Sequence, residues 1–182
     1  YSLQVLLPHK LSQTGPCLAT ADVNGDGYDD LYLGGGHNQP GQILLGNKSG
    51  GFLAKSIPAF NKDQIYEDVG CAFFDADNDG DEDLYVASGS YEFRETPRLL
   101  VDRLYLNDGQ GNFVKANNAI PQVGIAGSIV TTSDYDNDGD IDIFVGGRVV
   151  TGQYPYPASS LLLVNEGGQF SIQNDKLAPG FN

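Results

Sequence analysis

Hydrophobic residues come in short alternating runs, and the polar stretches between them are rich in glycine. "CLATAD", "DLYLGG", "GQILLGN" and "FLAKS" form one such series. Successive side chains of a β-strand point to opposite faces, so each run predicts a short strand. The series recurs as "GCAFFD", "DLYVAS", "DRLYLN" and "FVKA", and again as "SIVTTSD", "DIFVGG", "SSLLLVN" and "FSIQ". Four strands in direct succession make an antiparallel meander, the unit of a propeller blade. The predicted fold is all-β: three consecutive four-stranded antiparallel propeller blades. They occupy about 17–56, 70–116 and 128–173 of a single β-propeller segment spanning 1–182. No stretch holds a sustained helical period. Twenty-four glycines supply the tight turns.

The turn between the first two strands of each unit is acidic. "DVNGDGYDD" begins at Asp22, "DADNDGDED" at Asp75 and "DYDNDGDID" at Asp134, spaced by 53 and 59 residues. Fifteen of the 24 acids lie in these three windows, and the other nine nearly balance ten Lys and Arg. Such crowding is repulsive unless a cation sits within it. In "DxDxDGxxD" the side chains at positions 1, 3 and 5 converge, glycine at 6 reverses the chain, position 7 offers its carbonyl and position 9 closes the cage. The side-chain ligands are therefore Asp22, Asn24, Asp26 and Asp30; Asp75, Asp77, Asp79 and Asp83; and Asp134, Asp136, Asp138 and Asp142. Tyr28, Asp81 and Asp140 offer backbone oxygens. Hard oxygen donors in this number suit Ca²⁺ at three sites, rather than zinc or Mg²⁺. An EF-hand would need a glutamate at position 12 and flanking helices, and position 12 is Leu33, Val86 and Val145.

The formal net charge of −14 argues against nucleic acid or an anionic membrane as partner. No apolar run is long enough to insert into a bilayer, and the start at Tyr1, without Met or signal peptide, reads as a mature, processed or excised segment. Cys17 and Cys71 precede their acidic loops by five and four residues. Odd and even offsets put them on opposite faces of equivalent strands, which favours two buried thiols over a disulfide.

The acidic loop followed by "DLYLGGG" or "DIFVGGR", with a later strand ending "LYLNDGQGNF" or "LLLVNEGGQF", resembles the FG-GAP and VCBS-type repeats of integrin α-subunit propellers and of bacterial surface and secreted proteins. "GGRVVTGQYPYPASSLLLVNEGGQF" is similar to large exported or outer-membrane-anchored bacterial VCBS-repeat proteins, some with an ASPIC/UnbV-type domain elsewhere. The resemblance covers essentially the whole chain. It implies a calcium-binding propeller outside the cytoplasm, extracellular or at the cell surface, including bacterial secreted, periplasmic or outer-membrane-anchored forms. The neutral Asn24 departs from the loop pattern and leaves the first site the weakest. Loops of this kind fall in the extracellular range of dissociation constants, about 10⁻⁴ to 10⁻³ M, and stay largely empty at cytosolic calcium.

In an up-and-down blade the acidic loops share one face with the turns between strands three and four. The other face receives "HNQPG", "GSYEFRETPRLLV" and "RVVTGQYPYPAS", with the connectors between blades. Loops on a rigid scaffold are where binding concentrates. Tyr91, Phe93, Arg94, Arg98, Arg148, Tyr154 and Tyr156 are the candidate contacts for a protein or glycan ligand, because Tyr and Arg dominate recognition hot spots. Packing of these aromatics against the blades is the competing reading. The resulting expectation is a non-catalytic binding or adhesion scaffold. The alternative is a propeller segment of a calcium-dependent extracellular lyase or hydrolase acting on polysaccharide or lipid. His9 and His37 are the ordinary neutral-pH bases, and neither sits in a nucleophile motif. "NKS" at Asn47 reads as a hairpin turn. Three blades fall short of the usual four to eight, so the chain is expected to be part of a longer propeller or to self-associate into a ring.

Overall fold

The computed structural model describes residues 16–91 and 97–177. Twelve strands form three four-stranded antiparallel sheets, each in sequential order. The first holds β1 (Leu18–Ala21), β2 (Asp30–Leu33), β3 (Gln42–Gly46) and β4 (Phe52–Lys55). The second holds β5 (Asp68–Phe74), β6 (Asp83–Ser88), β7 (Arg103–Asn107) and β8 (Phe113–Lys115). The third holds β9 (Ala126–Ser133), β10 (Asp142–Val149), β11 (Leu161–Glu166) and β12 (Gln169–Ile172). These are three consecutive blades, and no sheet closes on itself.

Two cores lie between the sheets. Tyr32 and Ile43 of the first blade meet Leu84, Val86, Tyr105 and Phe113 of the second. On the second blade's other face, Tyr85, Ala87 and Leu104 meet Ile143, Val145, Leu161 and Leu163 of the third. Strand alternation therefore serves two interfaces at once, because a middle blade is buried on both faces. β6 is buried at all six positions.

The connectors reach into these same cores. A one-turn helix, α1 (Pro58–Lys62), starts on a proline whose fixed φ suits that position, and it carries Phe60. Phe60 is 3% exposed and packs edge-on against Tyr32 and Tyr105, at centroid distances of 5.5 and 4.9 Å. Ala119 and Ile120 of the next connector fill the second core. A second short helix, α2 (Asn174–Leu177), follows the last strand.

The cysteines depart from expectation. Cys17 and Cys71 are free thiols, as the sequence implied, but both are half-buried and pack into the same first core. Opposite faces of equivalent strands are the surfaces that meet when one blade stacks on the next, so the two thiols come together in that core. A hydrogen bond with Cys71, and then burial, push the Cys17 thiol far above its ordinary range. Strands β5 and β9 also start earlier than "GCAFFD" and "SIVTTSD", because bulges near Gly70 and Gly147 let pairing continue past an irregular residue.

Candidate metal centres and the opposite face

All three acidic loops fold alike. The carboxylate at position 1 accepts from the amides of positions 5 and 6: Asp22 from Asp26 and Gly27 at 3.1 and 2.8 Å, Asp75 from Asp79 and Gly80 at 3.1 and 3.0 Å, and Asp134 from Asp138 and Gly139 at 3.2 and 3.2 Å. Position 5 accepts in turn from the amide of position 7, namely Tyr28, Asp81 or Asp140. The chain is left-handed at position 6, with φ of +84°, +92° and +100° at Gly27, Gly80 and Gly139. Position 4 is left-handed too, at Gly25, Asn78 and Asn137. Glycine and asparagine tolerate that region best, so the residue type at the fourth position is a further signal of the loop in the sequence.

Position 9 does more than the sequence implied. Asp30, Asp83 and Asp142 are buried, and each spans two backbone donors. One oxygen accepts from position 2: Val23, Ala76 or Tyr135, at 3.0, 2.9 and 2.7 Å. The other accepts from the end of the third strand: Gly46, Asn107 or Asn165, at 2.7, 2.8 and 2.8 Å. This carboxylate staples the loop to its own blade.

The electrostatics match a site for a cation. Burial pushes the Asp83 carboxyl up to about 7, against the pull of the Asn107 and Ala76 amides, and the charges of Asp77 and Asp79 add to the rise. Asp30 and Asp77 are raised for the same first reason, with neighbouring aspartates contributing. Oxygens of Asp75, Asp77 and Asp83 all lie within 4.8 Å of one another, as do those of Asp134, Asp136 and Asp138. Two oxygens each about 2.4 Å from a shared calcium can be no farther apart than that. The donor set is oxygen alone, so the residues fit calcium. The first loop brings together no such acidic trio, with Asn24 at its third position.

At position 7 of the third loop the Asp140 side chain is engaged elsewhere, leaving its carbonyl as the available oxygen. Asp140 accepts from the Gly167 amide at 2.6 Å and from the Asn78 side chain of the preceding blade.

At the other end of the sheets, a cavity of about 230 Å³ opens between three segments. Its walls include Leu100 of the 3₁₀ turn Pro97–Leu100, Ile125 of the connector with Ala126 at the start of β9, and Val149 at the end of β10 with Thr151, Ala158 and Ser159 of the loop that follows. Arg98, Arg148, Tyr154 and Tyr156, on the segments that supply these walls, are exposed, Tyr156 at 69%, but do not line the cavity. Tyr91 is different: it is 6% exposed and packs with Leu100, Ala126 and Val149, so it serves packing rather than contact. Phe93, Arg94 and His9 lie outside the described residues. His37 stands on an exposed turn, with Nδ1 2.7 Å from the Ile65 carbonyl, which requires that nitrogen to carry the proton. Asn47 shapes its hairpin turn by accepting from the amides of Ser49 and Gly51.

Near that end, a buried polar lock joins the first two blades. Asp68 accepts from the Tyr32 hydroxyl and Gly35 amide of blade 1, and from Arg103 of blade 2 at 2.6 Å. Arg103 also lies 4.4 Å from the Tyr66 ring centroid. Neither partner was singled out from sequence, since a lone Arg or Asp in a strand carries no pattern.

Stacked four-stranded meanders with an acidic first turn define a β-propeller segment. A family model described as FG-GAP-like repeat matches residues 22–86 and 88–145, and the chain belongs to that family. The first match runs from the first acidic loop into β6, and the second from the end of β6 into β10, so each closes in the second strand of a blade. The chain is also similar to integrin alpha-V of Gallus gallus, 30% identical over 179 aligned residues. That alignment covers 83% of this chain and 16% of the relative. Among the described residues, no helix is long and apolar enough to cross a membrane.

Proposed function

We propose that this chain is a calcium-stabilised β-propeller module that works as a non-catalytic binding or adhesion scaffold, extracellular or at the cell surface. The carrying observation is the meeting of three carboxylates within 4.8 Å in two separate loops of identical hydrogen-bonded design. Calcium at each of the three loops neutralises the crowded acids and fastens the first hairpin of its blade. Similarity to integrin alpha-V supports the adhesion role and the location. The ligand, a protein or glycan, docks on the face opposite the acidic loops, around the 230 Å³ cavity and the exposed Arg98, Arg148, Tyr154 and Tyr156. The outer flanks of the first and third blades accept further blades or a second copy.

Thermal melting with and without chelator tests the calcium role. A site with a dissociation constant near 10⁻⁴ M contributes about 1.4 kcal/mol at millimolar calcium. Three such sites, at about 2–4 °C per kcal/mol for a domain of this size, raise the midpoint by roughly 10 °C. A midpoint indifferent to chelator rejects the reading.

A further inference from the structure

Asn107 is the last residue of blade 2's third strand and Asn165 the last but one of blade 3's, and they are 7% and 0% exposed. Both are held in the same way. The backbone N–H donates to the position-9 carboxylate of its own blade, and the side-chain oxygen accepts from a turn amide, Gly111 at 3.0 Å or Gly168 at 2.8 Å. The side-chain Nδ2 donates to a carbonyl of its own loop, Glu82 or Ile141, at 3.2 Å. Its shorter bond leaves the blade. Asn107 donates to the Val23 carbonyl at 2.8 Å, and Asn165 to the Ala76 carbonyl at 2.9 Å. Val23 and Ala76 occupy position 2 of the preceding blade's acidic loop, between two of its ligands.

Two facing carbonyls and one facing amide fix which end of each side chain is nitrogen. The arrangement occurs twice, with matching partners. Blade 1 has Gly46 at the equivalent place, which keeps the amide bond to Asp30 but has no side chain to reach outward. Turn glycines beside the asparagines reinforce the contact. A Cβ on Gly111 would sit 3.2 Å from Val23, and one on Gly168 would sit 3.1 Å from Asp77.

We propose that Asn107 and Asn165 are positioning residues for cation binding one blade upstream. Each pins the carbonyl between the first two ligands of the preceding loop, so cation occupancy of that loop and order in the following blade favour each other. This rests on the calcium reading of the loops.

The test uses the 182-residue chain with one functional loop retained. Asp22→Asn, Asp26→Asn, Asp134→Asn and Asp138→Asn leave the second loop; Asp22→Asn, Asp26→Asn, Asp75→Asn and Asp79→Asn leave the third. Calcium affinity is read by calorimetry, before and after adding Asn165→Ala. Loss of one bond to a buried carbonyl weakens the second loop roughly five- to tenfold. The third loop, in the blade that carries Asn165, loses only the longer bond to Ile141 and weakens clearly less than the second. Equal weakening of both loops, or none, overturns the inference, because general loosening of blade 3 would strike its own loop at least as hard. Should Asn165→Ala not fold, Asn107→Ala offers the same contrast between the first and second loops. If the single-loop chains take up no calcium before the alanine is added, the calcium reading fails and the coupling with it. Uptake that ignores both alanines sinks the coupling alone.

Discussion

Within one acidic loop the carboxylates divide their work, and substitution separates the roles. Asp83 is fully buried between two amides, so Asp83→Asn turns an NH₂ group against one of those N–H donors. Stability falls by about 1–3 kcal/mol even in chelator. Asp77 is held up by burial and by neighbouring carboxylates, so Asp77→Asn leaves chelator stability unchanged or slightly improved and weakens calcium binding. Urea denaturation of both variants, with and without calcium, checks the pair. Asp102 offers a pH signature away from the loops. Burial pushes its carboxyl up to about 6, although the Tyr85 hydroxyl, the Ser88 amide and the Arg103 charge pull it down. The ordinary value is 3.8, so the folded state holds an extra proton between roughly pH 4 and 6, and stability declines as pH rises through that window. Asp102→Asn removes this term, so its stability relative to the unaltered chain rises by about 3 kcal/mol from pH 4 to pH 7. Other carboxylates titrate in both proteins and cancel. The loop acids were legible because their spacing is itself the motif. The staple by position 9 was not, since spacing says nothing of which distant amide a carboxylate will reach.

Elements were legible where alternation is repeated and weakly marked where one residue acts alone. "DLYLGG" and "DIFVGG" announce strands through their apolar alternation, and "NKSGG" and "DGQGN" announce turns through glycine and asparagine. Helix α1 spans a single turn, too short for any period to show, yet its Phe60 sits between two blades against Tyr32 and Tyr105. Proline at its start was the available clue. Tyr91 fails the other way. Its composition and loop setting resemble a hot spot, and only the packing with Leu100 and Val149 shows that it belongs inside. The thiols show that a correct local rule can carry the wrong consequence: alternation assigns faces, and stacking decides which faces meet.

At the scale of the whole molecule, two forces oppose each other on the outer flanks. On the first blade's outer face, Leu18 and Leu33 are paired neighbours, 60% and 37% exposed. On the third blade's outer face, Ile129 is 63% exposed, and a cavity of about 230 Å³ is lined by Thr131, Phe144 and Leu162. Apolar sheet faces of this kind favour association with another blade. The net charge of −14 resists it through mutual repulsion. Calcium would remove up to six of those charges at three sites, and salt would screen the remainder over a Debye length of about 10 Å at 0.1 M. Light scattering should therefore find the 19.5 kDa chain closest to monomeric in chelator at low salt, and increasingly associated as calcium is added. Magnesium at the same ionic strength separates site occupancy from screening, because it suits these loops poorly. Association that follows ionic strength alone would mean that the loops do not govern the charge. A monomer under every condition would mean that the outer faces are too weakly apolar to seat a neighbour.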